Sequence, residues 1–188
     1  MGENCDEGTE LCFIGNCPST APIACVTAAK SKLIIKDKTD NTKDKLVWKW
    51  TKGGATTLAD FDDPTAASTY ALCFYEGVGS TLIGEAEIEA GSNWGPVGSK
   101  GYKYKNTAGN ADGVTKVLVK SGTAGKSKAL VKGKGANLPD FTLPLDVAGP
   151  GVVVQLRNNG NGKCLTSAFD QPKKNQAAPT GLFKAKEG

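Results

Sequence analysis

The run Lys45-Leu-Val-Trp-Lys-Trp50 alternates with a period of two. Leu46, Trp48 and Trp50 fall on one side, Lys45, Val47 and Lys49 on the other. Successive side chains of a strand point to opposite faces, so this run is a strand with one buried face, and two tryptophans make that face a core anchor. Tyr70-Ala-Leu-Cys-Phe-Tyr75 is a second strand-like run. No segment longer than a turn or two carries helical periodicity, which leaves an all-β architecture.

The rest of the chain fits that class. Leu33-Ile-Ile35 precedes a polar turn, Asp37 to Asp44, which feeds the tryptophan strand, and Gly53-Gly54 ends it. Thr81 to Ala90 reads as a strand with an acidic outer face of Glu85, Glu87 and Glu89. Gly101-Tyr-Lys-Tyr-Lys105 follows a loop containing Trp94, and Val114–Lys120 and Lys126–Lys132 flank a hairpin-like Ser121-Gly-Thr-Ala-Gly125. Phe141–Leu145, Gly151–Arg157 and Lys163–Phe169 supply the last strands. About nine or ten short strands separated by Gly, Pro, Asn and Asp favour a two-sheet antiparallel β-sandwich, jelly-roll or immunoglobulin-like. A chain of 188 residues fits one such domain. It divides into a cysteine-rich arm (1–24), a sandwich (25–170) and a polar tail (171–188) expected to fray.

Six cysteines, Cys5, Cys12, Cys17, Cys25, Cys73 and Cys164, stand in a chain without histidine. Four of them lie in the first 25 residues, where little apolar periodicity could order the backbone, so disulfides are the expected staples. Their irregular gaps do not match a zinc knot. Spacing does not choose a pairing: Cys73 with Cys164 joins early and late strands, and Cys25 is the rival partner. Disulfides place the protein outside the reducing cytosol, secreted or at the cell surface. No signal-peptide core precedes Cys5 and no apolar run is long enough to cross a membrane, so a secreted chain of this sequence reads as a mature form or a trimmed piece.

Taken together, Asp44-Lys-Leu-Val-Trp-Lys-Trp-Thr-Lys-Gly53, Ala59-Asp-Phe-Asp-Asp-Pro64, Tyr70-Ala-Leu-Cys73, Gly101-Tyr-Lys-Tyr-Lys105, Ala111-Asp-Gly-Val-Thr-Lys116, Gly133-Lys-Gly-Ala-Asn-Leu-Pro139 and Val154-Gln-Leu156 resemble a module met repeatedly in secreted proteins of deltaproteobacteria and related bacteria. That module has no assigned function, and the resemblance spans roughly residues 25–169. It implies an exported bacterial surface or matrix protein and no enzyme. The related pattern often has a cysteine pair before Gly-Tyr-Lys-Tyr, where this chain has Trp94 and none.

Candidate sites are few. Trp94, Tyr102 and Tyr104, with Lys103 and Lys105 at the rim, form a candidate sugar-stacking platform. Lys116, Lys120, Lys128 and Lys132 form a lysine ladder if their strands pair, suited to acidic polymers under a net charge of +4. With Arg157 the one arginine, bidentate recognition of bases or phosphates has few donors, which argues against nucleic acid. Asp37, Asp40 and Asp44 offer hard oxygen ligands to calcium, the one ion the sequence suits, and no cofactor is called for. Leu11, Phe13 and Ile14 make the arm an assembly element that could dock on another copy and build an oligomer or filament. Without histidine, an activated serine or a phosphate-binding loop, catalysis has no carrier. The chain therefore reads as a non-catalytic extracellular structural or adhesion module, with a carbohydrate-binding module recognising polysaccharide as the alternative.

Overall fold

A computed structural model describes Phe13, Ile14, residues 16–22 and residues 24–188. Among them there is no α-helix, and nearly half of the chain lies in strands. The strands are β1 (Phe13–Ile14), β2 (Cys17–Pro18), β3 (Val26–Lys36), β4 (Lys45–Gly53), β5 (Tyr70–Glu76), β6 (Thr81–Ile88) and β7 (Trp94–Pro96). They continue with β8 (Gly101–Lys105), β9 (Val114–Lys120), β10 (Ser127–Lys134), β11 (Val152–Asn158), β12 (Cys164–Phe169), β13 (Lys174–Gln176) and β14 (Leu182–Glu187). Apart from the small β1–β2 hairpin, they form one 12-stranded sheet in the order β6-β5-β11-β12-β3-β4-β10-β9-β8-β7, with β14 beside β3 and β13 beside β14.

The sheet is mixed, where the sequence reading expects antiparallel pairing throughout. Val26 and Thr27 of β3 pair parallel with Leu165 and Thr166 of β12, and from Ser31 onward the same strand pairs antiparallel with β14. A strand of 11 residues is long enough to serve two neighbours in succession along one edge. The sheet forks and curls at that point. Leu33, Ile35, Leu46, Val117 and Val131 from one arm of the curl share a single core with Leu72, Phe74, Val154, Leu156 and Phe169 from the other.

Trp48 and Trp50 are fully buried in this core. Their indole N–H groups donate across it, from Trp48 Nε1 to Ser167 Oγ at 2.7 Å and from Trp50 Nε1 to the Thr166 carbonyl at 3.0 Å. Since β4 and β12 are not neighbours in the sheet, these bonds span the curl. Each ring also removes about 150–250 Å² from water, on the order of 4–6 kcal/mol.

Residues 17–22 lie across the far face of β5 and β11, and Cys25 precedes β3. Cys17 is bonded to Cys73 of β5 and Cys25 to Cys164 of β12. Cys73 and Cys164 do not pair with each other, because β11 runs between their strands and two strand spacings, about 10 Å, exceed disulfide reach. Between its two bonds the segment takes a hydrogen bond from Gln155 Nε2 to the Pro22 carbonyl at 2.7 Å, and gives one from the Cys17 N–H to the Glu85 carboxylate at 3.1 Å. It covers Ala71, Tyr75 and Val153, a second small apolar cluster. This is why all of β11, including Gln155 and Arg157, is buried. Cys5, Cys12 and Leu11 lie outside the described residues. Phe13 and Ile14 pair through their backbone with Pro18 and Cys17.

Two expectations are corrected. Residues 171–188 are not a frayed tail: β14 runs along β3, and Phe183 and Ala185 are fully buried. Two inward residues are too short a signal to stand out in a polar stretch. Phe141–Leu145 is not a strand but an irregular cover segment, with the Phe141 ring edge-on to Phe74 at 5.0 Å between centroids.

Gly53 closes β4 beneath the Trp50 ring, and a Cβ placed there would lie 1.9 Å from ring carbons. Gly53→Ala is therefore expected to lower stability by about 1–3 kcal/mol. Urea unfolding should show a lower midpoint with an unchanged slope.

Candidate lysine face

The alternation that turns Trp48 and Trp50 inward turns Lys45 and Lys49 outward, and the register carries this pattern from strand to strand. Lys36 stands opposite Lys45, and Lys45 opposite Lys134. Lys186 stands opposite Lys32, and Lys32 opposite Lys49. On the next strands Lys128 faces Lys120, Lys132 faces Lys116, and Lys116 faces Lys105. Lys30, Lys103 and Lys184 complete the set on the same outer face of β14, β3, β4, β10, β9 and β8. Fourteen of the chain's 23 basic residues thus share the outer face of these six strands. Among the described residues no aspartate or glutamate occupies an outward position in these rows.

Like charges directly opposite one another destabilise a sheet. The crowding is visible at Lys32, whose ammonium pKa is lowered first by partial burial and then by repulsion from Lys186, Lys184 and Lys49. Ile34, Val47, Leu118 and Leu130 stand on this face in the middle of the lysines, and Leu182 lies at its end opposite Lys36. Val47 is buried, and Ile34, Leu118 and Leu130 are half-buried.

The sequence reading names Lys116, Lys120, Lys128 and Lys132, and the structure pairs these four across β9 and β10. It misses Lys32, Lys36, Lys45, Lys49, Lys134 and the β14 lysines. Their alternation was legible strand by strand, but which strands lie side by side was not.

The aromatic platform is corrected. Trp94 and Tyr104 are 5% and 2% exposed, with ring centroids 5.3 Å apart, and Trp94 also packs on Tyr70 at 5.2 Å. The Trp94 indole N–H donates to the Glu89 carbonyl at 2.9 Å, and the Tyr104 hydroxyl accepts from Asn106 Nδ2 at 3.0 Å. Tyr102 is half-buried on the same inward side. Lys103 and Lys105, taken with the rings as one site, are on the opposite face. The period of two separates them and adds them to the lysine array.

The calcium set is also redrawn. Asp37 and Asp44 come together with Asp140, their carboxylate oxygens all within 4.8 Å of one another. Asp40 is turned to Thr42 and, at 2.9 Å, to Lys43. Each of the three clustered acids already accepts a protein hydrogen bond. Asp37 accepts from the Phe141 N–H, Asp44 from the Lys38 N–H and Asp140 from Asn41 Nδ2. Burial, and next the neighbouring Asp37, Asp140 and Asp40, raise the Asp44 pKa against the lowering effect of the Lys38 N–H. A carboxyl with a raised folded-state pKa favours folding most below its unfolded value and loses that contribution as pH rises through the folded value. Asp44→Asn is thus expected to be more stable than the parent at neutral pH. The advantage should vanish below about pH 4, near the unfolded aspartate value, in paired thermal melts across pH.

Comparison with family models, with curated proteins and with solved structures finds no match, so the chemistry of the face alone bears on what it binds.

Proposed function

We propose that this chain is a non-catalytic extracellular adhesion module of the β-sandwich type, whose lysine face docks on acidic polysaccharide. One observation carries the reading: lysine stands opposite lysine across successive strands, with no acid in the rows. Such an array lowers the stability of the fold by self-repulsion, and a polyanion relieves that repulsion when it binds. Solubility needs far less, since interspersed charges of both signs achieve it.

The setting supports the same reading. Two disulfides suit an oxidising exterior, and no described helix is long and apolar enough to cross a membrane. Lysine ammonium groups act as point charges, in keeping with a partner recognised by charge density rather than by a bidentate fork. The segment from Cys17 to Cys25 finds its home on its own chain, which favours adhesion over docking of that segment on a second copy.

Lys116→Glu separates the energetic and binding roles. It replaces two like-charge pairs, with Lys132 and with Lys105, and is expected to stabilise the fold by on the order of 1 kcal/mol. It should also weaken retention on immobilised dextran sulfate, itself salt-sensitive and absent on neutral dextran. Lys163→Glu changes net charge equally, but off the face, and is expected to bind like the parent. Equal retention of parent and Lys116→Glu would overturn the reading.

A further inference from the structure

The lysine face is not uniform. Ile34 of β3 stands opposite Val47 of β4, and Leu130 of β10 stands opposite Leu118 of β9. Val47 is opposite Lys132 and Leu130 opposite Lys49, so Val47 and Leu130 are diagonal neighbours. The four residues form an apolar seam running obliquely over four strands, about 14 Å across at the usual strand spacing. Lys45, Lys132 and Lys116 lie along one side of it, and Lys32, Lys49 and Lys128 along the other.

We propose that this seam makes the face specific for a ribbon-shaped polyuronate, an acidic polysaccharide with carboxylates on both edges. The inference rests on the adhesion reading above and names its ligand class. An extended uronic-acid chain with a two-fold repeat directs successive carboxylates to opposite edges, and the C–H faces of its pyranose rings form an apolar strip between them. That pattern of charge, apolar strip and charge is the complement of lysine bank, aliphatic seam and lysine bank. The ring faces displace water from the half-exposed Ile34, Leu130 and Leu118, while ammonium groups pair with each edge.

Other polyanions match less of the face. An anionic bilayer calls for apolar side chains that protrude beyond the charges, and here Val47 is buried and Ile34, Leu118 and Leu130 are half-buried, with no aromatic residue in the rows. Duplex nucleic acid offers phosphates but no apolar strip to lie on the seam, and its base edges call for donors this face lacks.

The test compares two probes, alginate and inorganic polyphosphate, by titration calorimetry on the parent and on Leu118→Thr/Leu130→Thr. Both changes keep β-propensity and every lysine. The double variant is expected to bind alginate roughly tenfold more weakly and polyphosphate as the parent does, a difference of about 1.4 kcal/mol between the probes. Lys116→Glu is expected to weaken both. Ile34→Thr, which keeps the β-branch at a half-exposed seam position, supplies the same comparison if the double variant fails to fold. Equal losses on the two probes, or none, would overturn the seam and leave polyanion binding standing. Failure of the parent to bind either probe would overturn the adhesion reading itself. Tighter binding of phosphatidylglycerol vesicles or duplex DNA than of alginate would reject polyuronate as the ligand.

Discussion

Trp48 and Trp50 each send an indole N–H across the interior, to Ser167 and to the Thr166 carbonyl, and so hold β4 against a strand that is not its neighbour in the sheet. A 12-stranded sheet has no single way to bury its apolar face, and it can twist, split or close upon itself. These two contacts, with the fork at β3, select closure. Once β4 is fixed with its tryptophans inward, the pleat leaves Lys45 and Lys49 no orientation but outward. Pairing with β3 and β10 then aligns the lysines of three strands. The charge array follows from the same register that builds the core, and a shift by one residue would bury lysines and expose indoles together.

This coupling separates what was legible in the sequence from what was not. The strand character of Lys45–Trp50 and the inward side of its tryptophans were plain from period alone, as was the lysine alternation in Val114–Lys120 and its hairpin partner. Long-range adjacency was not. Nothing in the sequence places β14 beside β3 or interposes β11 between Cys73 and Cys164, and both depend on how the sheet closes. Tyr102 and Tyr104 alternate with Lys103 and Lys105 in the sequence, and because adjacent strand residues point to opposite faces the rings and the ammonium groups form no single site. Asp140 joined Asp37 and Asp44 from about a hundred residues away, a contact invisible to local spacing.

The two sides of the curled sheet use opposite solutions to exposure. On β5 and β11 the outer face is covered by the strap of residues 17–22, and it carries Ala71, Cys73, Tyr75, Val153 and Gln155. On β3, β4, β10 and β9 the outer face carries long ammonium-tipped chains around a few aliphatic residues. Only the second face keeps its side chains available to a partner, and it does so under continuous mutual repulsion.

The strap also defines how the molecule carries load. Its bond to Cys73 enters β5, a strand hydrogen-bonded on both edges, while its bond to Cys25 and Cys164 ties β12 to the start of β3. Tension applied upstream of Cys17 is thus delivered covalently into the middle of the sheet, where strands must shear against two neighbours at once instead of peeling from an edge. The lysine-bearing strands β4, β10, β9 and β8 lie beyond β3 from that load path, so such a pull leaves their register intact.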